Sequence, residues 1–372
     1  MKALNTSTQL VVALPCPNLH GRLEQPRAHV YNEVQKLLGG LYSLICAVCA
    51  QLGIDVESDL PGSIDARVLL LDYVPSEMVA QGLDPKLPNF ISGPIIDLPT
   101  LALTRRRWNT IFSVDGEDGQ KLLLSFLDIA NRISPPLQVH LKSVSGGASL
   151  VQKQAVPRSP TSQAKQHRVV AVGGTFDNIH AGHKLLLTAT ALLLQPVTNA
   201  SSSPRRLIVG ITGDELLKNK KYGEFLKSWK QRQDDVVEFL VSILSFTKSP
   251  PEDEIKMRTF DEPIVNGKAI HTQLKCCMIT IECVEIQDPF GPTITDKDIT
   301  ALVVSGETRS GGQAVNDKRV EKGWNSLEVF EIDVLEAGET EEGATKLGDF
   351  ASKISSTAIR KRKAENAQKA SL

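Results

Sequence analysis

The hydrophobic pattern is clearest in the middle of the chain, where apolar runs and glycines alternate. Val169 to Val172 is a short β-branched run closed by Gly173 and Gly174, which predicts a buried parallel strand that ends in a tight turn. Gly182 to Leu194 has helix-forming composition throughout and stops just before Pro196. The pattern therefore predicts a strand, a glycine turn and a helix.

Apolar runs downstream predict further strands of the same sheet. These strands are Arg206 to Thr212, Ile279 to Ile286, Ala301 to Val304 and Leu327 to Val334. The order of strand, helix and strand fits the right-handed crossover of a parallel sheet. We therefore expect a Rossmann-like α/β domain with a parallel sheet in this half of the chain.

The first half of the chain gives weaker signals of a smaller α/β domain. Gln9 to Leu14 and Ala66 to Leu71 predict buried strands, and His29 to Ile54 predicts one long helix or two. No charged side chain occurs from Leu37 to Ile54, so a membrane helix has to be considered. The glycines, polar residues and marginal length of this segment favour a buried helix instead.

Changes in composition mark the expected domain limits. Residues 144–166 are rich in Ser, Gly, Gln, Lys and Pro and have little periodicity, which predicts a flexible linker. The expected organisation is an N-terminal α/β domain over residues 1–147, a linker over 148–166, a catalytic domain over 167–363 and a C-terminal tail over 364–372.

Length, charge and cysteine content limit the class of protein. At 372 residues the chain exceeds one typical domain. The formal net charge of −1 gives no reason to expect a nucleic acid or a membrane surface as partner, so the partner should be small. Six cysteines at irregular spacings make no disulfide framework, and no signal peptide opens the sequence. We therefore expect a cytoplasmic protein.

The candidate chemistry lies where the first predicted strand meets its helix. In an open α/β sheet, ligands collect where strand carboxyl ends and helix amino ends meet, and Gly173 and Gly174 let a ligand approach the main chain there. His180 and His183 stand at the start of the helix, where free N–H groups and the helix dipole favour an anion. Two imidazoles and a helix amino end together predict a polyphosphate site.

A protein-bound metal is not expected. The two histidines lack a third ligand at a suitable spacing. Cys46 and Cys49 form a CxxC pair without a second pair, and helical spacing places both on one apolar face, which favours core cysteines. The basic run Arg105 to Arg107 is explained by a solvated loop or helix end, so the first half is assigned no chemistry.

The residues around the histidines resemble a known signature. The segment GGTFDNIHAGH resembles that of the HxGH nucleotidyltransferases, which include the cytidylyltransferases and the pantetheine-phosphate adenylyltransferases. The resemblance implies transfer of a nucleotidyl group from a nucleoside triphosphate, with release of pyrophosphate. Near the carboxyl end, ISSTAIR resembles the second signature of these enzymes, whose hydroxyl and basic residues hold the triphosphate tail.

Further motifs narrow the resemblance. DPFGP followed by VVSGETRSGGQAVNDKR resembles the eukaryotic-type pantetheine-phosphate adenylyltransferase domain, over residues 166–363 in all. No P-loop of the form GxxxxGK[ST] occurs, so the resemblance is to the monofunctional, fungal-like form, which performs this step only. Two positions depart from the family pattern, because Lys184 stands where arginine is also common and Gly306 stands where lysine or glutamate is expected.

The resemblance implies a role for each motif residue. The positions of the family's catalytic residues are matched by His180, His183 and Lys220. The positions that bind phosphopantetheine are matched by Thr175 and Lys220, and Arg232 matches an arginine of a family helix. The residues that match ATP-binding positions are Gly173, Gly174, Thr175, Phe176, His180, His183, Glu307, Ser355, Ser356, Thr357 and Arg360. Further motif positions, as pocket or framework, are held by Thr308, Gly311, Gly312, Asn316 and Arg319.

The implied reaction needs no general base. A phosphate monoester has a second pKa of about 6, so phosphopantetheine is largely a dianion at neutral pH. Attack on the α-phosphorus builds negative charge, so we expect catalysis by positioning and electrostatic stabilisation. His180 and His183 would donate to the α- and β-phosphates, and Mg²⁺ would arrive with ATP because no carboxylate cluster suggests a protein cage.

Two other functions stay open at this point. Another HxGH nucleotidyltransferase, of the cytidylyltransferase type, would share the first signature. A scaffold or regulatory subunit of coenzyme A synthesis could use the N-terminal domain to bind other enzymes of the pathway. The expected partners are ATP and 4′-phosphopantetheine, with no nucleic acid and no membrane.

Overall fold

The computed structural model describes ten stretches of the chain. They are residues 6–22, 25–56, 61–74, 92–104, 108–146, 165–196, 204–247, 249–264, 267–333 and 355–370. The basic run at 105–107 and all but the last two residues of the expected linker lie outside these stretches.

In the part of the first half that the structure describes, two small parallel sheets are accompanied by three α-helices. The three-stranded sheet has the order β1-β2-β3, and the two-stranded sheet pairs β4 with β5. The elements are β1 Thr8–Pro15, α1 Tyr31–Gln51, β2 Ile64–Asp72, β3 Ile95–Asp97, α2 Leu98–Leu103, β4 Thr110–Val114, α3 Glu117–Ala130 and β5 His140–Val144. The predicted strands and long helix of this half are present, with β2 buried as expected and β1 only half-buried, whereas β3 to β5 were not predicted.

The second half is built on one seven-stranded sheet. Its elements are β6 Val169–Gly174, α4 Ala181–Leu193, β7 Arg205–Thr212, α5 Trp229–Leu244, α6 Pro251–Glu254, β8 Ile255–Ile264, β9 Gly267–Leu274, β10 Ile279–Ile286, β11 Ala301–Ser305, α7 Arg309–Glu321, β12 Glu328–Ile332 and α8 Ser356–Ala370. The strand order is β12-β11-β6-β7-β10-β9-β8, and β8 and β9 form an antiparallel extension. The five parallel strands have the Rossmann order 3-2-1-4-5, which confirms the expected fold class.

Helix α4 is buried on nearly all sides. Eleven of its thirteen residues are buried, because the sheet covers one face and α1 covers another. A Cβ on Gly39 of α1 would lie 3.7 Å from Leu185 of α4, and Tyr31 packs on Phe330 of β12 with 4.9 Å between ring centroids. One hydrophobic core therefore runs through both halves of the chain.

Helix α1 buries one face and exposes the other. Cys46 and Cys49 are 1% and 4% exposed, which confirms the prediction of core cysteines. The outer face exposes Leu44, Val48 and Leu52. Among the described residues, the one helix long and apolar enough to cross a membrane is the stretch Arg27–Gln51, by length and composition only. The prediction of a buried helix is thus correct for one face of α1.

Ser355 caps the last helix. The backbone N–H of Ala358 donates to the Ser355 hydroxyl at 3.3 Å, which satisfies one of the free donors of the first turn. Helix α8 then continues to Ala370, so residues 364–370 of the expected tail are helical.

Candidate active site

The signature residues lie at the point where the strand order of the sheet reverses. Strand β6 has β7 on one side and β11 on the other, and all three are parallel, so their carboxyl ends share one edge of the sheet. Ligands of open α/β sheets bind in the crevice at this position. Strand β6 continues through both glycines, and the turn after it, the loop after β7 and the turn after β11 all open onto this edge, which we call the C-terminal edge.

The turn after β6 is shaped by Phe176. Gly173 is exposed and a Cβ there would meet the Gly210 carbonyl oxygen at 4.0 Å, an ordinary contact, whereas a Cβ on Gly174 would lie 3.0 Å from the Phe176 ring. Phe176 is 0% exposed and has φ 52°, and Asn178 has φ 49°, a left-handed conformation that non-glycine residues rarely adopt. The Phe176 side chain therefore supports the turn from the core, so its backbone is the part that could face a ligand.

The two signature histidines are stacked on each other. His180 occupies the N-cap position of α4, and its ring lies 3.9 Å, centroid to centroid, from that of His183 at an interplanar angle of 24°. A Cβ on Gly182 would stand 3.2 Å from the His180 ring, so glycine makes room for the stack. The Phe176 ring lies 5.3 Å from His183 on its other side. The sequence prediction that the histidines meet at the start of a helix is confirmed.

Both imidazoles are held in the neutral form. Burial lowers the pKa of His183 from 6.5 to about 4, against the opposing charge of Asp177. Burial, then the proximity of His183 and of Lys184, lowers the pKa of His180 well below its ordinary value. By hydrogen-bond geometry the Nδ1 atom of each ring is buried and unpartnered in the described part of the chain, and the Asn178 backbone is close enough to His183 to oppose the fall of its pKa. Nε2 is therefore the nitrogen of each ring that a ligand can reach.

The depressed pKa of His183 predicts an acid-sensitive fold. Below pH 6.5 this histidine binds a proton in the unfolded chain but not in the folded one, so the free energy of unfolding falls as the pH drops from 6.5 toward 4. The resulting loss in the free energy of unfolding at pH 5 is at most about 2 kcal/mol. Urea unfolding at pH 7.5 and pH 5 should show a smaller acid loss for His183→Gln than for the unaltered chain. Equal acid losses would contradict a depressed pKa.

The loop after β7 brings an exposed lysine to the same edge. Lys218 forms an ion pair with Glu215, whereas Lys220 is exposed and has no ion pair among the described residues. The backbone carbonyl of Lys221 accepts a hydrogen bond from Arg360 at 3.1 Å, which ties this loop to α8. The Lys220 backbone N–H donates to the Leu217 carbonyl at 3.0 Å, so this loop holds its backbone while its exposed ammonium is available to a ligand.

Asp177, to which the sequence analysis gave no role, joins three parts of the site. Its carboxylate is 2.6 Å from the Arg360 guanidinium, and both side chains are almost fully buried. The same carboxylate accepts from the Lys227 backbone N–H at 3.2 Å, and the Asp177 carbonyl accepts from the Ser356 hydroxyl at 2.8 Å. The signal in the sequence is the aspartate of GGTFD, three residues before His180.

The Arg360 side chain is buried and holds α8 in place, so it is not exposed to a ligand. Its side chain is 3% exposed, and its donors reach Asp177, the Lys221 carbonyl and the Thr357 hydroxyl. Lys363 adds a further contact from α8, 2.6 Å from the Asn178 side-chain oxygen. Ser355 and Thr357 are exposed at the start of the helix, whereas the Ser356 hydroxyl is engaged with Asp177.

Arg232 lies buried beneath the site and connects the ends of two strands. It is fully buried in α5 and donates to the carbonyls of Thr175 and Thr212, at 2.7 and 2.8 Å, and to the Asp214 carboxylate at 2.6 Å. It therefore links the ends of β6 and β7. The Thr175 side chain is half-buried beside this link.

The turn after β11 presents Glu307 at the same edge. Glu307 is exposed in a short 3-10 turn, which a reciprocal pair of hydrogen bonds between Ser305 and Thr308 holds. Two other motif residues act in the framework. Arg319 is buried and donates to the carbonyl of Thr293 at 2.6 Å and to other loop carbonyls, and Asn316 pairs with the Leu327 backbone.

Two carboxylates near the site are already engaged, whereas Glu307 is exposed. Asp177 pairs with Arg360, and Asp214 pairs with Arg232. In the stretches that the structure describes, no group of three His, Cys, Asp or Glu side chains is placed to hold a metal ion. The donor set of this edge thus consists of imidazoles, a lysine, hydroxyls and helix N–H groups, which suits an anion.

Family comparisons separate the two halves of the chain. The profile described as cytidylyltransferase-like matches residues 171–362, which hold the C-terminal edge and both signatures. The profile described as a domain of unknown function (DUF8446) matches residues 1–150.

Curated proteins resemble the chain over about half its length. It is 39% identical over 202 residues to an uncharacterized protein of Schizosaccharomyces pombe, covering 54% of this chain and 50% of that one. It is 35% identical over 198 residues to the phosphopantetheine adenylyltransferase of Saccharomyces cerevisiae, covering 53% and 49%. It is 30% identical over 196 residues to the phosphopantetheine adenylyltransferase of Thermococcus kodakarensis, covering 53% and 86%. The chain thus spans about half the length of these two fungal relatives.

Proposed function

We propose that this chain, which belongs to the cytidylyltransferase-like family, acts as a phosphopantetheine adenylyltransferase. It would transfer AMP from ATP to 4′-phosphopantetheine, giving dephospho-coenzyme A and pyrophosphate. Two relatives that bear this name, one fungal and one archaeal, support the choice of substrates.

The observation that carries the proposal is the stacked pair of neutral histidines at the amino end of α4. Each neutral ring can present one N–H from Nε2, and the helix adds free backbone N–H groups of partial positive charge. Such donors stabilise the charge that develops on a phosphorus centre without carrying full charge themselves. The pair stands at the C-terminal edge, where a polyphosphate would lie between β6 and β11.

The transfer step follows from the charges of the substrates. An oxygen of the phosphopantetheine phosphate attacks the α-phosphorus of ATP, and the bond from that phosphorus to the bridging oxygen breaks as pyrophosphate leaves. His180 and His183 would donate to the α- and β-phosphates as negative charge builds there. Lys220 and Thr175 would orient the incoming phosphate from the other side of the β6 turn.

The triphosphate tail would lie at the amino end of α8. Ser355 and Thr357 are exposed there, and the first turn of a fifteen-residue helix has free backbone N–H groups. Ser356 and Arg360 would act by holding this turn against Asp177. Gly173, Gly174, Glu307 and the backbone of Phe176 complete the proposed ATP site.

Magnesium would be part of the substrate as Mg–ATP. Asp177 and Asp214 are both paired with arginines. A magnesium ion would therefore be bound by phosphate oxygens and water instead of by these two carboxylates. When bound, the ion would neutralise charge on the β- and γ-phosphates.

The eukaryotic-type form of the enzyme is the finer proposal. The two fungal relatives are 39% and 35% identical, against 30% for the Thermococcus kodakarensis protein. Asp288 of the DPFGP motif accepts the backbone N–H groups of Phe290 and Gly291, each at 2.7 Å, which makes the motif a rigid loop beside the site. The cytoplasmic location and further partners of the N-terminal half stay predictions from the sequence.

Lys220→Ala is expected to lower kcat/KM for phosphopantetheine by about tenfold to a hundredfold. A charge-assisted hydrogen bond to phosphate contributes about 1.5 to 3 kcal/mol, which converts to that range. Steady-state kinetics with varied phosphopantetheine measure the effect. Lys218→Ala is the matched control, because that exposed lysine is already paired with Glu215 and should leave kcat/KM unchanged. Equal effects from both variants would assign the loss to general surface charge.

A substrate matrix tests the proposed function. Pyrophosphate release is measured with ATP or CTP, each with and without phosphopantetheine, in the presence of magnesium. Release that requires ATP and phosphopantetheine together supports the proposal. Release with CTP and a different phosphate acceptor would favour the cytidylyltransferase alternative, and release with neither nucleotide from a folded chain would favour the scaffold alternative.

A further inference from the structure

A buried ion pair joins the N-terminal half to the helix that bears the histidines. Nζ of Lys184 lies 2.6 Å from Oδ1 of Asp65, and the two side chains are 2% and 7% exposed. Lys184 follows His183 directly in the sequence, whereas Asp65 lies in β2. The pair therefore connects β2 to the first turn of α4.

Neighbouring groups fix the carboxylate of this pair. Arg67 forms a second ion pair with Asp65 and donates from Nε to the Ser242 hydroxyl of α5 at 3.1 Å. Burial acts to raise the pKa of Asp65, but the charges of Lys184 and Arg67 hold it below its ordinary value. Asp65 thus stays ionised at neutral pH, with cations from two different elements against it.

The first turn of α4 links the Lys184 backbone to both histidines. The Lys184 backbone N–H donates to the His180 carbonyl at 2.9 Å, so the two residues share one helical hydrogen bond. His183 is the adjacent residue and its ring stacks on that of His180. A shift of the Lys184 side chain would therefore tilt the turn that holds both imidazoles.

The second signature helix has a similar contact with the N-terminal half. Arg362 of α8, two residues after Arg360, lies 3.0 Å from Asp55, which follows α1. These side chains are 38% and 45% exposed, so solvent weakens the pair and its contribution is small. The buried pair at Lys184 is the stronger of the two connections.

We propose that the N-terminal half is a positioning part of the transfer site, with Asp65 as the positioning residue that seats the histidine turn of α4 through Lys184. The inference rests on the proposed function for its kinetic readout. Groups that stabilise a transition state have to be held within about 0.5 Å of their working positions. The sheet that contains Asp65 supplies that support from outside the matched nucleotidyltransferase segment, residues 171–362.

Kinetics of four variants of the full chain test the proposal. Asp65→Asn should lower kcat by about tenfold to a hundredfold with little change in KM for ATP, because displaced donors lose transition-state contacts before ground-state binding. The double variant Asp65→Asn with Lys184→Gln removes both charges of the pair, while Arg67 keeps its ion pair with Glu238 at 3.6 Å, so this variant keeps the test open if the single variant fails to fold. Lys184→Arg retains the charge and should keep more activity than this double variant.

Gln35→Met is the matched interface control. The Gln35 side chain joins the same two halves through hydrogen bonds of 3.0 and 3.1 Å to Asp333, two strands away from β6. It should lower the unfolding midpoint while kcat stays unchanged. If Asp65→Asn and Gln35→Met lower kcat equally, or if folded Asp65→Asn retains full kcat, the positioning role is overturned.

A readout without catalysis separates this inference from the proposed function. The Cε1–Hε1 NMR signals of His180 and His183, assigned with His→Gln variants, should shift in Asp65→Asn and stay in place in Gln35→Met. If the histidine signals shift in Asp65→Asn but the unaltered chain transfers no nucleotide, the positioning role is supported and the proposed substrates are wrong. Unshifted signals in an active enzyme would retain the function and overturn the positioning role.

Discussion

His183→Ala is expected to lower turnover by about a hundredfold or more while the fold persists. The variant removes one of two donors aimed at the charge that develops on the phosphates, and losses of this kind fall on the transition state. The chemistry is measured as kcat for pyrophosphate release at saturating ATP and phosphopantetheine. Because the rings of His180 and His183 are stacked, we expect His180→Ala to have a similar effect and the double variant to lose less than the product of both.

His271→Ala is the matched control for this prediction. Burial lowers the pKa of His271 as it does for His183, but His271 lies in β9, within the antiparallel extension and away from the β6 turn. It should leave kcat unchanged. A folded His183→Ala protein with an unaltered rate would remove the proposed role of the histidine pair, and circular dichroism of each variant shows whether it is folded.

Asp177→Asn is expected to release α8 from the site and to abolish measurable activity. The substitution leaves the Arg360 charge buried and unpaired, which costs about 3 to 5 kcal/mol. Asparagine still offers an oxygen to the Lys227 N–H, so the loop there should persist. Hydrogen exchange of residues 356–370 measures the release as a loss of protection.

A second substitution separates the charge from the packing. Arg360→Met removes the cation, so Asp177→Asn with Arg360→Met should be more stable to urea than Asp177→Asn alone. Activity should stay low in the double variant, because α8 has lost its link to the turn after β6. Full protection of α8 in Asp177→Asn would contradict the anchoring role of the ion pair.

Much of the core of the fold could be predicted because its signals are local. The apolar run of β6, the two glycines and the helical composition of α4 lie within one short segment, and their order alone places His180 and His183 at a helix amino end. The hairpin of β8 and β9 was missed. Its strands are interrupted by charged residues and Pro263, although the dipeptide Asn266-Gly267 is a hairpin signal.

The residues that anchor the site could not be predicted from local patterns. Asp177 and Arg360 are 183 positions apart, and Asp65 and Lys184 are 119 apart. Sequence spacing shows which residue types are present but not which charges become buried against each other. The sequence resemblance led us to expect that Arg360 holds the triphosphate tail directly. In the structure its guanidinium forms an ion pair with Asp177 instead, a contact that sequence spacing does not reveal. The contact of the two halves through α1 and α4 was unforeseen for the same reason.

The most direct test of nucleotidyl transfer follows the phosphorus atoms of ATP. The full chain is incubated with phosphopantetheine and ATP labelled either at the α- or at the γ-phosphate, and the products are separated. Nucleotidyl transfer at the site of His180 and His183 predicts that the α-label appears in dephospho-coenzyme A and the γ-label in pyrophosphate. A γ-label in the pantetheine product, or an α-label that stays in free nucleotide while ATP is consumed, would contradict it.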